Sequence, residues 1–122
     1  MSGEPLYSLS AIVGAHNRRA AKVGVVGTFT VVEWKALCER FSWRCVACGY
    51  QADLGPDHIM PLSKGGTNRI ENIQPMCQSC NSMKRGHIID FRAKPFHGRG
   101  WYRRWKAGDL NLTDPFAVGI EV

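Results

Sequence analysis

The sequence lacks any long apolar run. No stretch of its 122 residues approaches the roughly 20 apolar residues that a bilayer-spanning helix requires. The N-terminus has no basic segment leading into a long apolar one, so we expect no secretory signal. Internal repeats and low-complexity tracts are also missing. These absences favour a single globular domain with tails over a membrane, secreted or repeat protein.

The cysteines do not form an even set, as the disulfide framework of a secreted chain would. Four of the five lie in two tight pairs, CVAC at 45–48 and CQSC at 77–80, and Cys38 is left over. This pattern indicates metal binding in a reducing compartment.

Two C-x-x-C turns can complete a tetrahedron of thiolates around zinc. The spacing therefore predicts a structural zinc site made of Cys45, Cys48, Cys77 and Cys80. With four protein ligands such a site has no open position for water, so any chemistry must occur elsewhere. The 28 residues between the pairs exceed the usual gap of a simple zinc ribbon, which is about 15–20 residues.

Acidic residues are scarce in one segment. Residues 84–106 hold eight Lys or Arg and only Asp90, whereas the whole chain has a formal charge of +6. This distribution is a footprint for a polyanion such as nucleic acid. Aromatic residues accompany these charges, most densely in WYRRWK at 101–106. They could stack on bases, or cover the core while the basic groups stay in water.

A capping box predicts a helix over about residues 31–42, because Thr30 is followed three residues later by Glu33. Apolar residues recur on one face of this segment at helical spacing, namely Trp34, Leu37, Cys38 and Phe41. We expect that face, including Cys38, to be buried. Before it, AHNRRAAKVG could be a short basic helix or an arm laid on DNA.

Between the cysteine pairs the sequence predicts a hairpin. DHIMPLS at 57–63 is interpreted as a first strand and KGGTN as a turn. NRIENIQPM is interpreted as a loop and a second strand. A helix is predicted to begin at the second cysteine pair, which we call the second cysteine knuckle. Asp57 and His58 would supply an oxygen and an imidazole for a second metal site. Neighbouring strand residues point to opposite faces, so both can reach one ion only if the strand has a bend or bulge.

The run CVACG…GPDHIMPLSKGGTNRIENIQPMCQSCNSMKRG closely resembles the HNH endonucleases over about residues 43–86. The resemblance implies an α+β fold with a small ββα-metal core, a structural zinc site of four cysteines and flanking helices. It also implies a division of the chain into a basic N-terminal arm (1–28), a nuclease domain (29–90) and a basic, aromatic C-terminal extension (91–122).

The resemblance implies a role for each matching residue. His58 would be the general base, and Asn72 would hold the loop that orients it. Asp57 and Asn81 would bind a catalytic Mg²⁺ or Mn²⁺ ion. Asn81 stands where the family often has a final histidine, so the pattern here is H-N-N, and His87 is the alternative ligand. Further expected contacts to nucleic acid come from Lys84, Arg85, Arg103 and Arg104.

The implied function is metal-dependent hydrolysis of phosphodiester bonds in duplex DNA, by nicking or cleavage with low sequence specificity. The sequence contains no signature of a recognition helix. The resemblance also suggests a cytoplasmic, phage-associated protein that works with a terminase or another larger machine. The alternative is a zinc-stabilised DNA-binding module without catalysis, or an adaptor of a packaging machine.

Overall fold

Residues 8–112, the part of the chain that the computed structural model describes, contain four α-helices, two short 3₁₀ helices and one two-stranded sheet. The elements in chain order are α1 (Leu9–Lys22), α2 (Val31–Arg40), β1 (Leu54–His58), β2 (Ile73–Cys77), α3 (Gln78–Lys84) and α4 (Trp101–Lys106). The predicted α+β class is confirmed, and the order β1, β2, α3 is the expected ββα arrangement. None of the helices in the described residues is long and apolar enough to cross a membrane.

Helix α2 forms as its sequence predicts. The Thr30 hydroxyl accepts a hydrogen bond from the Glu33 backbone N–H (3.0 Å), and the Glu33 carboxylate accepts one from the Thr30 N–H (2.9 Å), so the capping box is complete. The four apolar residues of its predicted inner face, Trp34, Leu37, Cys38 and Phe41, are all buried. Burial raises the pKa of the Cys38 thiol to about 12, which keeps it protonated and chemically quiet.

The N-terminal segment contains a helix, α1, rather than an extended arm. The Ser8 hydroxyl caps its first turn by accepting from the Ala11 N–H. Val13 and Ala20 are buried, and Val13 belongs to the main hydrophobic core together with Phe29 and Trp34. This helix is therefore packed against the domain through its apolar side.

Strands β1 and β2 pair antiparallel, from Leu54 opposite Cys77 to His58 opposite Ile73. The sequence predicts the first strand at 57–63, whereas β1 starts three residues earlier and ends at His58. Beyond His58 the chain enters a 3₁₀ turn at Leu62–Lys64 instead of continuing as a strand. The one-to-one register contains no bulge, but the chain bends directly after β1, at residues 59–60, so of the two expected irregularities the structure has the bend.

The segment after α3 packs onto the first cysteine knuckle. Backbone N–H groups of residues 96–98 donate to the carbonyls of residues 46–48 over 2.7–3.1 Å. Phe91 and Trp101 are fully buried, and their rings meet edge to face with centroids 4.9 Å apart. These aromatics therefore cover the core, as one of the two alternatives predicted, whereas Arg103 and Arg104 remain exposed.

Candidate functional site

The four paired cysteines form a cluster with metal-binding geometry. The sulfurs of Cys45, Cys48, Cys77 and Cys80 all lie within 4.8 Å of one another. Four thiolates bound to one zinc ion at about 2.3 Å would have sulfurs at such separations, so the residues fit the ion. A hydrogen bond from the Cys80 thiol lowers the pKa of Cys45 to about 5, despite the opposing effect of burial. The cluster thus favours a structural zinc site.

One contact to this cluster could not be read from the cysteine spacing. The indole N–H of Trp101, on α4, donates to the sulfur of Cys80 over 3.3 Å, and both side chains are buried. A donor to a coordinating sulfur orients the ligand and stabilises its charge. The C-terminal extension therefore supports the cysteine cluster directly.

A cavity of about 720 Å³ lies between the end of β1, α3 and α1. It brings together three of the residues predicted to take part in the reaction, Asp57, His58 and Asn81, although they come from β1 and α3. Its wall also includes two arginines, Arg85 after α3 and Arg19 on α1, both exposed. The cavity therefore combines a carboxylate, an imidazole and an amide with positive charge at its rim.

Asp57 is buried, and one oxygen of its carboxylate is held by two side chains. Its Oδ2 atom accepts from Lys84 Nζ (3.1 Å) and from Gln74 Nε2 (2.9 Å). Burial raises the pKa of the Asp57 carboxyl, and Lys84 and Gln74 oppose that rise by stabilising the carboxylate. Both contacts use the same oxygen, so Oδ1 is the atom that suits a hard cation. Asn81, which is partly exposed in the same cavity, offers a carbonyl oxygen.

The structure does not bring Lys84 to the surface, contrary to its expected contact with nucleic acid. Lys84 is fully buried, and its ammonium group also donates to the carbonyls of His58 (3.0 Å) and Ile59 (3.3 Å). With Asp57 these acceptors use all three ammonium hydrogens. Lys84 is therefore a buried cation beneath the end of β1, and Arg85 is the neighbouring exposed charge.

His58 is held by a hydrogen bond to Asn68, a residue that none of the sequence motifs indicates. Its Nε2 lies 2.9 Å from Oδ1 of Asn68, which is fully buried. Because an amide oxygen only accepts, His58 donates from Nε2, and Nδ1 is the nitrogen that can accept a proton. The position of Asn68 at the end of the predicted turn KGGTN was the only sequence signal for this contact.

Asn72 does not line the cavity but binds the backbone of the loop that follows β1. Its Nδ2 donates to the carbonyls of Met60 and Thr67, and its Oδ1 accepts from the Met60 N–H, each over 2.9 Å. These three bonds close the loop that connects β1 to a second 3₁₀ turn, Ile70–Asn72. The loop is tight, since a Cβ added at Gly66 would lie 1.9 Å from the Met60 carbonyl oxygen.

Three other predicted residues do not line the cavity. Arg103 and Arg104 are exposed on α4. His87, the alternative metal ligand, packs against Trp105 with ring centroids 4.9 Å apart. Of the two candidates, Asn81 is the one that shares a cavity with Asp57 and His58.

The two-stranded sheet, the following helix and the four-cysteine cluster are consistent with a ββα-metal fold. Residues 45–86 match the family model described as HNH endonuclease, so the resemblance is confirmed over that segment. The matched segment contains both cysteine pairs, the hairpin and α3, but not α1, α2 or α4. No curated protein and no solved structure is significantly similar to the chain.

Proposed function

We propose that this protein is a metal-dependent DNA endonuclease whose site is the cavity between β1, α3 and α1. The observation that carries the proposal is that Asp57, His58 and Asn81 line one cavity, with His58 held through Nε2. HNH domains are in general nuclease domains, and the match over residues 45–86 supports that class of activity.

His58 acts as the general base in this proposal. A neutral imidazole accepts protons near pH 7, and Nδ1 is free to take one from a water that attacks the phosphorus atom. The bond to the bridging 3′-oxygen breaks, this oxygen takes up a proton from solvent water, and the products are a 5′-phosphate and a 3′-hydroxyl. Asn72 closes the loop behind His58, and the Lys84 bond to the His58 carbonyl fixes its backbone.

Asp57 and Asn81 would hold one Mg²⁺ or Mn²⁺ ion, because carboxylate and amide oxygens are hard ligands. Such an ion would supply positive charge to the phosphate and to the leaving oxygen. Arg19 and Arg85 stand at the cavity rim and can bind flanking phosphates, and Arg103 and Arg104 add charge on α4. Contacts of this kind carry no base information, so we expect low sequence preference and inhibition by salt.

The test is cleavage of supercoiled plasmid with Mg²⁺, Mn²⁺ or EDTA by the wild type, His58→Ala and His87→Ala. His87 is the matched control, since it is a histidine outside the cavity. We expect metal-dependent nicking or cleavage by the wild type and by His87→Ala, and none by His58→Ala at equal zinc content. If all three proteins bind zinc and DNA and none cuts with any metal, the protein is a DNA-binding module.

Two finer parts of the proposal have separate tests, and the first rests on family analogy whereas the second rests on the expected phosphate contacts. One is that the nuclease works with a phage terminase or a similar machine in the cytoplasm of a bacterial cell, and a pull-down without any interaction would remove it. The other is low sequence specificity, which a sharp set of bands from a long duplex would refute.

A further inference from the structure

We propose that α1 selects the tautomer of His58 through two linked amides, Asn17 and Asn68, so that the base is oriented by a helix outside the matched HNH segment. The proposal rests on the proposed role of His58 as general base. Asn17 and Asn68 are positioning residues in it, because they act on His58 and do not touch the substrate.

The Asn68 amide has only one orientation that satisfies its neighbours. Its Nδ2 faces two acceptors, Oδ1 of Asn17 at 2.7 Å and the carbonyl of Gly27 at 3.3 Å. Turning the amide by 180° would put its oxygen against both of these oxygens, with the loss of both bonds. Asn68 is fully buried, so water cannot replace them. Oδ1 of Asn68 must therefore face His58.

Asn17 is in turn fixed by the main chain. Its Nδ2 donates to the carbonyl of Phe29 (2.9 Å), and its Oδ1 accepts from the Phe29 N–H (3.3 Å). Phe29 itself is anchored in the core with 1% of its surface exposed. A backbone N–H and carbonyl cannot exchange roles, so the direction of every bond from Phe29 through Asn17 and Asn68 to His58 is determined.

The chain of bonds decides which nitrogen of His58 carries the proton. Facing an oxygen at 2.9 Å, Nε2 holds its hydrogen, and the lone pair remains on Nδ1. If Asn68 were reversed, its Nδ2 would donate to Nε2, and the proton would move to Nδ1. His58 could then not take a proton from water through Nδ1. The N-terminal helix thus contributes to the reaction without contributing a reacting group.

The test is the tautomer of His58, observed by ¹⁵N NMR of the zinc-loaded protein at about pH 8, where an ordinary imidazole is neutral. The variants are Asn17→Leu, which removes the acceptor for Asn68, and Asn17→Asp, which keeps a carboxylate oxygen there. Val13→Ala is the control for general loosening, because Val13 is buried on the same helix and makes none of these bonds.

We expect an unprotonated Nδ1 in the wild type, Asn17→Asp and Val13→Ala. Asn17→Leu should show a substantial Nδ1–H population. Its kcat for DNA cleavage should fall about tenfold, which corresponds to about 1.4 kcal/mol, with KM changed less than about twofold.

Three results would overturn the proposal. The first is the finding that His58 of the wild type is protonated on Nδ1. This measurement does not depend on whether any variant folds. The second is an unchanged tautomer in Asn17→Leu, and the third is an equal change in Val13→Ala. The tautomer is measured without DNA, so the two proposals can fail separately. If the protein does not cut DNA under any condition, the proposed function is wrong, but the NMR result still shows whether Asn17 and Asn68 select the tautomer.

Discussion

Replacing Lys84 by methionine should destabilise the protein far more than the same change at Arg85. Lys84 is fully buried, and its ammonium group contacts Asp57 Oδ2 (3.1 Å) and the carbonyls of His58 (3.0 Å) and Ile59 (3.3 Å). Methionine would fill the volume of the side-chain stem but leave a buried carboxylate without its cation. Breaking a buried ion pair from one side costs about 3–5 kcal/mol.

The loss should be visible as a fall in Tm of about 10–20 °C, since 1 kcal/mol shifts a domain of this size by a few degrees. Unfolding of wild type, Lys84→Met and Arg85→Met would be measured at one fixed concentration of zinc, because a bound metal adds to apparent stability. Arg85 is exposed, so its substitution removes the same charge at a cost within about 0.5 kcal/mol.

The double variant Lys84→Met with Asp57→Leu identifies the cause. It removes both charges, so it should be more stable than Lys84→Met alone even though more has been changed. A Lys84→Met protein as stable as Arg85→Met would refute the buried pair. If that protein also lost affinity for DNA, Lys84 would instead be the phosphate contact that the sequence predicts.

Three further predictions concern other parts of the site. Burial, with lesser effects of Arg19 and His58, lowers the pKa of His16 to about 4. As the pH drops, His16 therefore takes up a proton in the unfolded chain before it does so in the folded protein. The free energy of unfolding should fall between about pH 6.5 and pH 4 for this reason. His16→Gln should remove about 1 kcal/mol of this loss, because solvent screening of the half-buried ring reduces the roughly 3 kcal/mol of the full shift. Gly66→Ala should cost about 2–3 kcal/mol in urea unfolding, since the new Cβ would collide with a backbone carbonyl oxygen. Trp101→Phe should weaken zinc binding about tenfold in chelator competition, because Cys80 loses its indole donor.

Each of these has a result that would count against it. The His16 prediction fails if wild type and variant lose stability in parallel between pH 6.5 and 4. For the glycine, Gly55→Ala is the control, because an added Cβ there meets nothing within 4 Å, and equal costs at both positions would contradict the steric argument. Unchanged zinc affinity in Trp101→Phe would show that the indole serves packing alone.

Local signals were enough to predict α2 and the cysteine cluster. A capping box and a helical apolar face both depend on residues that lie within two helical turns of each other. Each C-x-x-C pair likewise defines a metal-binding turn without reference to the rest of the chain. The boundaries of β1 were harder. Leu54, Gly55 and Pro56 have no strand pattern, and only pairing with β2 makes them part of the sheet.

The position of Lys84 shows which signal was available and which was not. Helical spacing places Lys84 on the same face as Asn81, because the two are about 60° apart around the helix axis. Lys84 is still closer to the buried Cys80, from which it is about 40° away. That spacing could have predicted an inward direction. Its partner Asp57 is 27 residues distant in the sequence, and nothing local indicates that the two meet. The Asn17–Asn68 bond spans 51 residues and was out of reach for the same reason.

Helix α3 shows why the zinc cluster and the cavity cannot be considered separately. It has only seven residues, too few for a stable isolated helix, for which about 12 or more are needed. Its first turn is tied down by Cys80 in the cysteine cluster, and its last residue, Lys84, is tied down by Asp57 and the end of β1. Asn81 lies between these two anchors and lines the cavity. The direction of Asn81 therefore depends on both ends of the helix, and a closed zinc site without chemistry of its own would still determine whether the cavity can hold a metal ion.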